Sequence, residues 1–123
     1  MNGIQGTETT LFNYAERRGL DFPLDIVAEN GDLFTEDFKS WLPKNLHVFS
    51  AFVKQAKYVR NVMRREHYSA RTIGEWLRHN SALREKGEGW KLNDHYWPGL
   101  ARLSMLAYSE LDGLFETRER SAL

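Results

Sequence analysis

Between Asn45 and Arg65 the large apolar residues recur at intervals of three and four: Phe49, Phe52, Val53, Ala56, Val59 and Met63. At ~100° per residue these positions fall in one stripe along a helix. A helix with a single apolar face must lay it against another apolar surface, and that requirement limits the architectures open to the chain. The other segments offer such surfaces in helical spacing, and none shows the alternation of a half-buried strand. The sequence therefore predicts an all-α or nearly all-α fold, a compact single-domain bundle of five to seven helices. At 123 residues and 41% hydrophobic content, one modest core is affordable.

Local signals place the elements. Residues 1–8 read as a disordered lead-in and 9–120 as the helical domain. Thr9 or Thr10 can cap a short helix carrying Leu11, Phe12, Tyr14 and Ala15, with Gly19 as its stop. Phe22-Pro23 opens a second segment, closed by Asn30-Gly31. Thr35 reads as an N-cap, with Glu36 and Asp37 in a first turn where the helix dipole favours anions, and Pro43 as terminator. Asn45 caps the helix expected over 46–65. Ser69 caps the next, over 70–86, with Ile73, Trp76, Leu77 and Leu83 directed inward. Gly87-Glu88-Gly89 is a turn signal. Asn93 or Asp94 caps a helix that accommodates Pro98 in its first turn, and Ser109 opens a last short one with Leu111, Leu114 and Phe115. The expected packing joins 46–65 to 70–86 through Phe49, Phe52, Val53, Ile73, Trp76 and Leu77.

Formal charge cancels over the chain, 17 Lys/Arg against 17 Asp/Glu, but not along it. Residues 1–50 hold 4 basic and 8 acidic side chains, 51–90 hold 9 and 4, and 91–123 hold 4 and 5. The middle section, 46–90, is the basic part of the domain, between an acidic 9–45 and C-terminal helices at 91–120. Lys57, Arg60 and Arg64 are expected as a row beside the apolar stripe, with Lys54 and Arg65 farther round and Arg71 and Arg78 on the following helix. A cationic helical face of this kind suits nucleic-acid phosphates, and the order of helices is compatible with a helix-turn-helix. Tyr58, Tyr68, Trp90, Tyr96 and Trp97 are candidates for base stacking. Solvation of an ordinary helix surface, with pairing to Glu66, Glu75 and Glu85, explains the same charges without a ligand. Asp21, Asp25, Glu29, Asp32, Glu36 and Asp37 form an acidic set that could neutralise the basic helices or mimic a phosphate row toward a basic protein.

Catalytic patterns are missing. There is no cysteine, hence neither a disulfide nor a thiolate site. His47, His67, His79 and His95 are too far apart for the i, i+3 or i, i+4 pairs of a helical metal site. The phosphate-loop and G-x-S-x-G patterns are absent. The expectation is a non-enzymatic protein without metal, cofactor or small-molecule substrate. The N-terminus MNGIQGTETT lacks the basic start and apolar stretch of a secretory leader, and no run approaches the ~18 apolar residues of a spanning helix. A cytoplasmic location, away from membranes, is expected.

From Phe34 to Arg120 the chain resembles a family of small uncharacterised proteins encoded by phages and prophages. The resemblance rests on Phe38 and Trp41 followed by Asn45-Leu46-His47-Val48-Phe49, then Ser69, Arg71, Thr72, Ile73, Glu75, Leu77 and Arg78. Lys91-Leu92-Asn93, Ala101-Arg102-Leu103, and Gly113, Phe115, Glu116 and Arg118 complete it. Leu46 stands where the family has Pro, and Asp94 where it has a second Asn. The resemblance implies a phage or mobile-element accessory protein, in the host cytoplasm if phage-encoded. Arg102, within an apolar stripe, needs an acidic or carbonyl partner, and a structural clamp with Glu75 or Glu116 is expected. Three function classes follow: nucleic-acid binding through Lys54, Lys57, Arg60, Arg64, Arg65, Arg71 and Arg78; inhibition of a host defence protein; or a structural role in the virion.

Overall fold

A computed structural model describes residues 22–80 and 94–116. They form five α-helices: α1 (Phe22–Glu29), α2 (Glu36–Trp41), α3 (Leu46–Asn61), α4 (Ala70–Asn80) and α5 (Trp97–Ala107). Short 3-10 turns precede α2, α3 and α5, and one more follows α5 at Ser109–Leu111. The fold is all-α, with no strand among the described residues. The helix expected from Thr9 or Thr10 to Gly19, the positions 81–93 and the tail beyond Glu116 lie outside them.

The local signals act much as their chemistry requires. Pro23 and Pro98 sit in the first turns of α1 and α5, where a missing N–H costs nothing. Thr35 Oγ1 accepts the Phe38 amide at 3.1 Å, and Pro43 falls in the turn that ends α2. Ser69 Oγ accepts the Thr72 amide at 3.2 Å and starts α4. Asn45 departs from expectation. Its side chain makes no capping bond to α3; its Nδ2 donates backward to Trp41 O at 3.0 Å, and the residue is only 1% exposed. It closes α2 and is buried in doing so.

Helix α5 is central. It packs against α1, α3 and α4, and its Gly99 lies beneath the Phe38 ring of α2. Six of its residues, Trp97, Leu100, Ala101, Leu103, Ser104 and Ala107, are buried. The α3 stripe meets it with Val48, Phe49, Phe52, Val53, Ala56 and Val59. Phe52 lies between the rings of Trp97 (centroids 6.4 Å apart) and Phe115 (5.5 Å).

Two expected core residues are outside. Helix α3 stops at Asn61, so Met63 falls beyond it and is exposed. On α4 the buried residues are Ile73, Gly74 and Leu77, while Trp76 is 45% exposed. The reason is the close approach of α5: a Cβ on Gly74 would stand 2.1 Å from Trp97 Cε2. With Gly74 turned to the Trp97 ring, Trp76, two residues on and about 200° round the helix, cannot also face it.

These contacts predict a graded stability series, measurable by chemical denaturation. Phe52→Ala should lose ~3–5 kcal/mol, and Trp76→Ala less than about 1 kcal/mol, as for a surface substitution. Gly74→Ala should lose about 1–3 kcal/mol through overpacking against Trp97, despite alanine's better helix propensity.

Candidate nucleic-acid interface

The seven cations expected to contact phosphate separate into two groups. Lys54, on the outer side of α3, is exposed, as are Arg64, Arg65 and Arg71. Lys57, Arg60 and Arg78 are half-buried and engaged within the fold. Lys57 Nζ stands 4.0 Å from the centroid of the Tyr108 ring, a cation–π contact. The row of Lys57, Arg60 and Arg64 does not form. It required α3 to continue to residue 65, whereas Arg64 follows the helix end with φ 58°, a left-handed conformation unusual outside glycine.

Arg60 has a structural task that the sequence did not disclose. Its Nε donates to Glu110 O (2.9 Å), Nη1 to Arg65 O (2.9 Å) and Glu66 O (3.0 Å), and Nη2 to Asp112 O (2.7 Å). A planar fork of fixed donors suits this ring of carbonyls, which an ammonium could not span. The two strips of chain it joins, 62–69 and 109–115, also meet through the Tyr68 amide to Leu114 O (2.9 Å), and Asn61 Nδ2 at the end of α3 donates to Glu110 Oε2 (2.9 Å). Its position, next to Val59 on the edge of the stripe, was the available sequence signal; the carbonyls it serves leave no pattern in side chains.

Glu75 gathers the charges on α4. Arg78 Nη1 lies 3.3 Å from its Oε2, His79 Nε2 3.4 Å from Oε1, and Arg71 Nε 4.0 Å from Oε2. The clamp expected between Arg102 and Glu75 or Glu116 is therefore drawn differently. Arg102 is half-buried, but its Nη1 donates to a carbonyl, Leu33 O at 2.9 Å, tying α5 to the turn before α2. Glu116 is exposed at the end of the described chain. Of the acidic set, Glu29, Asp32, Glu36 and Asp37 are exposed and Asp25 is half-buried, with Glu36 on Lys39 (2.9 Å) and Asp37 facing His95 (3.6 Å), while Asp21 lies outside the described residues.

The aromatic candidates also change places. Trp97 is core, Tyr96 stacks on Trp41 at 4.4 Å, and Tyr68 is half-buried with the Arg65 guanidinium 5.8 Å over its ring. Trp90 lies outside the described residues. Tyr58 and Trp76 are exposed. The connection from α3 to α4, residues 62–69, is longer than the roughly three- or four-residue turn of a helix-turn-helix. Among the described residues no three His, Asp or Glu side chains converge as metal ligands, and no helix is long and apolar enough to cross a membrane. A shallow groove of about 140 Å³ between α1 and α3 is walled by Phe22, Pro23, Leu46, Phe49 and Val53, with Ser50 and Tyr108 as its polar groups.

Comparison with protein families, with curated proteins and with solved structures returns no match.

The Arg60 geometry predicts that Arg60→Lys, which keeps the charge but not the fork, lowers stability by about 1–3 kcal/mol. Lys54→Gln, outside any such network, should change it by less than about 0.5 kcal/mol. Thermal and chemical denaturation of the two variants make the comparison.

Proposed function

We propose that this is a non-catalytic accessory protein of a phage or mobile element, acting in the host cytoplasm, that binds nucleic acid through a reduced cationic set. The observation that carries the proposal is the exposure of Lys54, Arg64, Arg65 and Arg71 on α3, on the loop after it and on the first turn of α4. Arg60, Lys57 and Arg78 act within the fold and are removed from the set. The phage context rests on the resemblance of the Asn45–Phe49, Ser69–Arg78, Ala101–Leu103 and Gly113–Arg118 motifs. Phosphate contacts of this kind hold a polyanion in place without reading its sequence, so binding is weak and broadly tolerant.

A second reading, an inhibitor that docks on a basic surface of a host defence protein, draws on the exposed Asp32, Glu36 and Asp37. Exposed Val62, at 62%, and Met63 favour a protein partner as well.

Salt dependence separates the two. Each neutralised phosphate contributes about 0.7–0.9 to the slope of log affinity against log salt. Replacing Lys54, Arg64, Arg65 and Arg71 together with Gln should therefore flatten the slope by roughly 3 and leave the helical far-UV spectrum unchanged. A wild-type protein that binds no nucleic acid at low ionic strength would leave the inhibitor as the better account.

A further inference from the structure

Trp76 is the largest exposed side chain among the described residues. The core side of α4 is complete without it, since Ile73, Gly74 and Leu77 are buried and Trp97 occupies the space above Gly74. A polar residue would satisfy position 76 as far as packing goes, yet the position carries the side chain with the largest π surface. At about 100° per residue, Thr72, His79 and Asn80 are its neighbours on the same outward side. All three are exposed and can hydrogen-bond, His79 through its Nδ1 while its Nε2 lies 3.4 Å from Glu75 Oε1. Asn80 donates its Nδ2 to Trp76 O (3.1 Å), which leaves its side-chain oxygen as an acceptor. Exposed Arg71 stands about 140° round the helix from Trp76, on the far border of the solvent side and 4.0 Å from Glu75 Oε2, with exposed Arg64 and Arg65 on the preceding loop.

We infer that Trp76 is a stacking platform for an unpaired base, and that the ligand class is single-stranded nucleic acid. The inference rests on the nucleic-acid reading above and narrows it. A duplex keeps its base faces covered, so it offers Trp76 no partner, whereas a single strand offers one at every nucleotide. For the backbone of that strand to meet Arg71, it must cross the outer side of α4 from Trp76. Thr72, His79 and the Asn80 oxygen lie where the edge of a stacked base would pass, which allows a modest base preference. Duplex contact would instead use Arg64, Arg65 and Arg71 alone, independently of residue 76.

The test uses fluorescence anisotropy with the full chain and three polyanions: a labelled oligo(dT), a duplex of equal length, and inorganic polyphosphate as competitor. The wild type should prefer oligo(dT) to duplex. Trp76→Ala and Trp76→Leu should weaken oligo(dT) binding roughly 5- to 100-fold, the loss expected from one base–aromatic stack. Both should leave duplex and polyphosphate affinity within about twofold, and Trp76→Phe should keep most of the oligo(dT) affinity. Leu preserves apolar bulk without a π face, so its loss would not reflect unfolding. Equal oligo(dT) affinity in wild type and the Ala and Leu variants, with salt-dependent binding retained, would overturn the stacking role while the phosphate-binding reading stands. An absence of binding to all three polyanions would overturn both and leave a protein partner.

Discussion

The contact between Trp97 and Gly74 sets the arrangement of the helices around it. An indole ring lies directly on the backbone of α4 because residue 74 has no Cβ; the nearest ring carbon stands 2.1 Å from where one would be. Glycine inside a helix costs about 1 kcal/mol relative to alanine, and Trp97 Nε1 has no hydrogen-bond partner, a loss of ~1–3 kcal/mol. Burying an indole removes ~150–250 Å² from water, worth ~4–6 kcal/mol at 25 cal/mol per Å². Packing therefore outweighs both penalties. The same contact fixes the rotation of α4 and so turns Trp76 outward. Gly99 beneath Phe38 repeats the device at the first turns of α5.

Arg60 performs the complementary task where the chain leaves its α-helices. The segments 62–69 and 109–115 contain no α-helix, only the 3-10 turn at Ser109–Leu111, and so leave carbonyls for a side chain to serve. One guanidinium satisfies four, from Arg65, Glu66, Glu110 and Asp112. Beneath them Leu111, Leu114 and Phe115 are buried. The clamp thus holds in place the strip of chain that closes the core behind Phe52.

The helices were legible in the sequence because their signals are local. The spacing of Phe49, Phe52, Val53, Ala56 and Val59, the Thr35 and Ser69 caps, and the prolines at 23, 43 and 98 act within one turn. What was misread depends on residues distant in the chain. Trp76 has the right spacing for the core, and only the ring of Trp97 on Gly74 excludes it. Asn45 precedes a helix as a cap should, but its side chain makes no capping bond and its Nδ2 donates back to Trp41 O. Arg60 resembles its neighbours Lys57 and Arg64 in every local respect, and its role is decided by carbonyls fifty residues away at Glu110 and fifty-two at Asp112. The candidate site was legible only as a surplus of charge, because burial and partners divide a charge cluster in ways composition does not record.

A segment that is strongly basic by count is therefore a much less basic surface. Arg60 is spent on carbonyls, Lys57 on the Tyr108 ring, and Arg78 on Glu75. Each of these contacts draws a long side chain down onto the protein, so its charge reaches solvent partly compensated by local dipoles or by a carboxylate. Exposed Lys54, Arg64, Arg65 and Arg71 retain more of their field. On the proposed nucleic-acid reading, four such charges would give only loose capture of a polyanion at low salt, and screening beyond about 10 Å would limit how far they cooperate at 0.1 M. Affinity at higher ionic strength would have to come from contacts that salt does not weaken. On the described surface the exposed rings of Trp76 and Tyr58 are groups of that kind, and Trp76 is held outward by the packing on the opposite side of its own helix.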